Sequence, residues 1–153
     1  MSESSCESVA VTLRALVALV RESEREMAQR LGLNLTDYRA LCALVESAPL
    51  TSGRLAEELG CTAATTTAIT NRLELHGYVT RERSETDRRL VTLSASPEAS
   101  KRILDLTFPL VSVLSEQLQT LPPDQITTVV AFLDTTQDLM RTHLQTLSSK
   151  DAT

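Results

Sequence analysis

The chain has 153 residues, a net charge of −5, 42% hydrophobic and 3% aromatic residues, and four glycines. That length suits one compact domain that buries most of its unfolded surface without staples, and the scarcity of aromatics and glycine excludes a sheet-rich class in favour of a mainly α chain. No apolar run approaches the ~20 residues of a membrane span, and the opening MSESSCESVA lacks the basic-then-apolar pattern of a signal peptide, so a cytoplasmic protein without membrane contact is expected.

In chain order, Val9, Leu13, Leu16, Val17, Val20 and Met27 recur at helical spacing and predict an amphipathic helix over 8–31. A second helix, with Thr36 as N-cap and Leu41, Leu44 and Val45 on one face, stops before Pro49. A short third starts near Thr51, carries Leu55 and Leu59 and ends at Gly60, a left-handed cap position. Thr62 caps a fourth, whose inner side holds Thr66, Ile69, Thr70 and Leu73 and which ends at Gly77. Two helices separated only by Gly60 and Cys61 match a helix-turn-helix.

YVTRER, the polar turn SETDRR and LVTLSA then read as a hairpin, with Tyr78 alternating with Thr80 and Val91 with Leu93 and Ala95. Ser96, Pro97 and Glu98 open a long helix to about Gln119, which Pro109 should bend. Pro122, Pro123 and Asp124 open a last one, with Ile126, Val129, Val130, Leu133, Met140, Leu144 and Leu147 in its stripe. The polar ends, 1–7 and 148–153, are expected to fray.

This order of elements resembles the MarR family of bacterial regulators over nearly the whole length. The resemblance is carried by LAEELGCTAATTTAITNRLELHGYVTRERSETDRRLVTLSASPEA, residues 55–99. Family members show TVTRLVDRLExxGLVxR, then a wing ending in DxR and a TPEG-like helix start. Thr65, Thr67, Arg72, Leu73, Glu74, Gly77, Val79 and Arg81 stand at the matching positions, followed by Asp87 and Arg89 and by Ser96, Pro97 and Glu98. Four positions depart from the pattern: Ala68 replaces an arginine, Asn71 an aspartate, Ala95 a leucine and Ala99 a glycine.

The resemblance implies a winged helix-turn-helix at 33–97 with a small two-stranded wing, flanked by dimerisation helices at 7–31 and 98–147, all in one domain over 1–153. It also implies a homodimer on a pseudo-palindromic double-stranded DNA operator, acting as a repressor that a small effector or an oxidant releases. Helical periodicity puts Ala64, Ala68, Asn71 and Leu75 on the outer face of the fourth helix, flanked by Thr65, Thr67 and Arg72, with Thr62 at its start. In a major groove Asn71 can pair bidentately with adenine, and the alanines and threonines can meet thymine methyls or phosphates; the competing explanation is an ordinary solvated face.

At the wing tip Arg88 and Arg89 can enter a minor groove, with Asp87 bracing Arg89; otherwise they form an exposed turn with a surface ion pair. The long apolar stripes of the terminal helices call for a partner or for packing within the chain. The net charge of −5 runs against nucleic-acid binding, but residues 62–93 carry +1 and the remainder −6.

Cys6, Cys42 and Cys61 form an odd set without a CxxC pair, so no disulfide is expected. Cys61, just before the recognition helix, is a candidate redox sensor, or a small hydrophobe filling the turn. Cys42 reads as core and Cys6 as part of a loose tail. His76 and His143 lack metal-ligand spacing and no catalytic motif occurs, so neither an enzyme nor a cofactor or metal is expected. Two other readings remain: a winged-helix protein-interaction module without DNA binding, and a small-molecule carrier.

Overall fold

A computed structural model of the chain describes residues 3–83 and 91–150, with side chains described over 7–83 and 91–147. Six helices and three short strands follow in the order α1 (Glu3–Arg30), α2 (Leu35–Ser47), β1 (Leu50–Thr51), α3 (Ser52–Leu59), α4 (Ala63–Leu75), β2 (Val79–Arg83), β3 (Val91–Ala95), α5 (Pro97–Gln119) and α6 (Pro123–Lys150). This is a mainly α winged helix-turn-helix with a small antiparallel sheet.

Capping chemistry sets the boundaries. Thr51 and Thr62 accept the backbone N–H of Arg54 and Thr65, and Gly60 ends α3 in the left-handed region at φ 63°. Ser96 Oγ accepts the Ala99 N–H at 3.2 Å and starts α5, which runs unbroken through Pro109.

Three expectations need correction. The N-cap of α2 is Asn34, not Thr36: Asn34 Oδ1 accepts the Asp37 N–H while its Nδ2 donates to Asp37 Oδ2, both at 2.9 Å. That reciprocal pair satisfies more groups than a threonine already inside the first turn can. The expected hairpin is present as the antiparallel pair of β2 and β3, but the sheet has a third, unexpected strand, in the order β1-β3-β2, with Leu50 opposite Leu93 and Thr51 opposite Thr92. A two-residue strand between Pro49 and a helix cap is too short to show alternation in sequence. Finally, α1 begins at Glu3 and α6 reaches Lys150, into segments expected to fray.

The chain divides into two compact units, residues 1–106 and 107–153. The first has a continuous core: Ala28 from α1 and Leu31 just after it, Leu41 and Leu44 from α2, Leu55 from α3, Ile69 and Leu73 from α4, Tyr78, Val79 and Leu93 from the sheet region, and Ala99 and Ile103 from α5. Tyr78 and Val79 are both buried and residues 80–83 are all exposed, so the described part of this segment shows no inward-outward alternation. In the second unit none of the described hydrophobic residues is buried; Phe108, Leu110, Val113, Leu114, Leu139 and Leu144 are among those exposed.

Candidate nucleic-acid interface

The candidate interface is the outer face of α4. Thr66, Ile69, Thr70 and Leu73 are buried at 1% exposure or less, which fixes the helix's rotation about its axis. Thr62, Ala64, Thr65, Thr67, Ala68, Asn71 and Leu75 are consequently all exposed, as helical spacing places them. Leu75, at 88% exposure, is the most exposed of the large hydrophobics described.

The helix start is polar in a defined way. The Ala63 and Ala64 N–H groups have no carbonyl upstream within the helix to accept them, and the helix dipole adds partial positive charge there. Thr62 and Thr65 share a hydroxyl hydrogen bond of 2.9 Å, which leaves the proton of one hydroxyl available to an outside acceptor. Amides and hydroxyl together make an environment suited to a phosphate oxygen. Further along, the Thr67 hydroxyl donates to the Ala63 carbonyl at 2.9 Å and the Thr70 hydroxyl to that of Thr67 at 3.0 Å. The exposed Thr67 therefore has its hydroxyl proton engaged within the helix.

Two arginines lock α4 to its neighbours. Arg72 grips Asp37 of α2 with a fork, Nε to Oδ2 at 2.8 Å and Nη2 to Oδ1 at 2.6 Å, and that hydrogen bond, chiefly, raises the guanidinium's pKa. The Asp37 side chain is 3% exposed and Arg72's 45%, so the carboxylate is buried and compensated while the cation stays at the rim. Arg81 of β2 reaches the same helix: Nη2 donates to Asn71 Oδ1 and to Thr70 Oγ1 at 3.2 Å, and Nε pairs with Glu74 at 3.1 Å. Arg81 and Asp37 were not among the expected site residues. The Asn34-x-x-Asp37 spacing was a readable sign of the α2 cap, whereas nothing local in sequence links Arg81 to Asn71.

Asp87, Arg88 and Arg89, expected at the wing tip, lie outside the described residues. Cys61 is half-buried in the turn before α4 and packs against the core, as the small-hydrophobe explanation requires. Cys42 is half-buried rather than fully buried, because its side of α2 borders a cleft; burial first, then Glu46 and Glu24, push its thiol pKa up against an opposing hydrogen bond from Tyr38.

Behind the interface, Tyr78 ties β2 to two helices. Its hydroxyl donates to the Leu31 carbonyl at the end of α1 at 3.1 Å and accepts from Arg102 Nη1 of α5, whose guanidinium carbon lies 5.5 Å from the ring centre. Beside this junction Arg30, Leu31, Arg102, Asp105 and Leu106 line a cavity of about 220 Å³. A larger cleft of about 510 Å³, between α1, α2 and α3, is lined by Glu24, Tyr38, Arg39, Cys42, Glu46 and Glu58 among others. Among the described residues no group of three potential metal ligands occurs, and no helix is long and apolar enough to cross a membrane.

Residues 33–91 match the MarR family profile. Over 147 residues, 95% of this chain and 96% of the other, the sequence is 32% identical to the uncharacterized HTH-type transcriptional regulator YcgE of Bacillus subtilis. It is also 33% identical, over 56% of its length, to 63% of the organic hydroperoxide resistance transcriptional regulator of the same organism. Among solved structures, a MarR family protein from Bacillus stearothermophilus superposes with a TM-score of 0.69 at 23% identity, covering 92% of this chain and 99% of that one. A mutant of Staphylococcus aureus MepR bound to an oligodeoxyribonucleotide superposes at 0.59 with 15% identity, covering 86% and 97%; at such identities these two structures speak for the fold alone.

Proposed function

The chain belongs to the MarR family of transcriptional regulators, and from that premise we propose that it is a sequence-specific repressor. It acts as a two-fold homodimer that sets α4 of each protomer in successive major grooves of a pseudo-palindromic operator. The observation that carries this reading is the outer face of α4: small, weakly charged and exposed, on a helix held rigidly by Arg72 and Arg81. A merely solvated helix face usually carries more Lys and Glu. Thr62, Ala64, Thr65, Thr67, Ala68 and Asn71 face the groove, Arg72 supports them through Asp37, and Arg88 and Arg89, braced by Asp87, take the minor groove. One resolved neighbour in the fold, the MepR mutant, is itself bound to an oligodeoxyribonucleotide.

The dimer follows from the exposed apolar residues. Val9, Leu16, Leu19 and Val20 of α1 lie open in the single chain, as do most of the apolar residues of the second unit, and exposed large apolar residues in such number support a partner surface. Release comes from a small anion entering the cavity beside Arg102, where displacing the Tyr78 contact would loosen β2 and, through Arg81, α4. Oxidation at Cys61 is the second route, and it fails if Cys61→Ser leaves peroxide-induced release unchanged.

Fluorescence anisotropy on duplex from the gene's own upstream region, against scrambled duplex over a salt series, tests the function. Preferential binding that weakens steeply with salt and is lost in Arg89→Ala supports it. Equal, feeble binding of both proteins to both duplexes, and to a random duplex pool, overturns it in favour of a protein-interaction module, to which the net charge of −5 and the exposed Leu75 lend support.

A further inference from the structure

Arg81 gives Asn71 a defined orientation, and the inference from it rests on the DNA-binding reading above. We propose that Arg81 turns the Asn71 carboxamide so that its oxygen faces β2 and its Nδ2 donor faces outward, making Asn71 a reader of bases that offer an acceptor and a discriminator against cytosine. A guanidinium carries donors only, so the carboxamide end that meets Arg81 Nη2 is the oxygen. Arg81 is itself fixed by Thr70 Oγ1 at 3.2 Å and Glu74 at 3.1 Å, both on α4, which leaves it little freedom to follow a rotated amide. Nδ2 has no partner among the described residues, and Asn71, Glu74 and Leu75 line an open cleft of about 320 Å³ at that point of the helix.

A bidentate adenine contact needs Oδ1 to accept from N6 while Nδ2 donates to N7. With Arg81 holding Oδ1 toward β2, the end of the carboxamide left to face outward is the Nδ2 donor. Purine N7, guanine O6 and thymine O4 accept it, whereas cytosine presents an amino donor in the major groove. Glu74, which would otherwise repel phosphate and base acceptors nearby, is neutralised by the same arginine. Arg81 is thus a positioning residue, and Asn71 the group that meets the base.

The test enriches binding sites from a random duplex pool with the wild-type chain and repeats the enrichment with Asn71→Asp, Asn71→Ala, Arg81→Ala and Arg81→Lys, after confirming by thermal melting that each variant folds. The wild type should disfavour cytosine at one position per half-site. Asn71→Asp, which offers acceptors only, should switch that position to cytosine by roughly tenfold. Asn71→Ala and Arg81→Ala should flatten the same position and no other, and Arg81→Lys should restore part of it. Unchanged preference at every position in both Asn71 variants overturns the proposal, and Arg81→Ala weakening all sequences by one common factor overturns the positioning role. A wild-type chain that enriches no sequence overturns the DNA-binding reading itself, and this inference with it.

Discussion

The two units of the chain handle their apolar residues in opposite ways. In residues 1–106, Leu41, Leu44, Leu55, Leu73 and Leu93 are exposed at 1% or less, and the buried polar side chains are bonded; in residues 107–153 none of the described large hydrophobics is buried, Leu121 and Ile126 being half-buried and the rest exposed. The first unit therefore has a packed core of its own, although α1 keeps Val9, Leu16, Leu19 and Val20 open. The second has the composition of a core and little of its burial, which is the ground on which a partner surface is proposed there.

That contrast can be broken most decisively at the second unit. Val113→Asp combined with Leu114→Asp should weaken the proposed dimer roughly a thousandfold by placing unpaired charge in its interface, as sedimentation equilibrium would read, while a far-UV spectrum stays helical. A wild type that is monomeric at high concentration would instead mean that these faces serve some other partner. The opposite experiment is Leu73→Ala, which removes a fully buried side chain from the first unit and should cost about 2–5 kcal/mol in denaturant unfolding without altering the association constant. If each change affected both properties equally, the division into self-sufficient and partner-dependent parts would be wrong.

A smaller effect is expected where Tyr78 joins β2 to α1 and α5. Tyr78→Phe keeps the ring beside Arg102 and removes the hydroxyl that bonds Leu31 and Arg102, a loss of about 1 kcal/mol. Its sharper consequence is on coupling: an effector that releases wild-type protein from DNA should release the variant less, as competition anisotropy would measure. The smallest effect concerns pH. Because burial raises the Cys42 pKa in the folded chain, the unfolded chain ionises first as pH rises past about 8.5. Stability should then decline gently as pH rises above about 8.5, and Cys42→Val should remove that part of the slope. A slope unchanged by the substitution would assign it to other groups.

Much of the reading head was legible from local rules. Thr62, Gly60 and Gly77 mark the limits of α4, and the spacing of Thr66, Ile69, Thr70 and Leu73 identified its inner side and hence its outer one. The α2 cap was misassigned to Thr36 because a single hydroxyl was weighed without the reciprocal Asn34 and Asp37 pair. The third strand was missed because two residues carry no period.

What the sequence determined by itself was periodic or local: helices, caps, the helix-turn-helix, the family, and the face of α4 that looks outward. What only the tertiary structure decided was the use of charged and polar side chains far apart in sequence. Arg72 serves Asp37 thirty-five residues away, Arg81 orients Asn71 across ten, and Tyr78 ties Leu31 to Arg102. Backbone hydrogen bonds and apolar spacing repeat along a chain and announce themselves. A guanidinium finds its carboxylate or amide only after the fold has brought the two together, and no local pattern specifies that meeting.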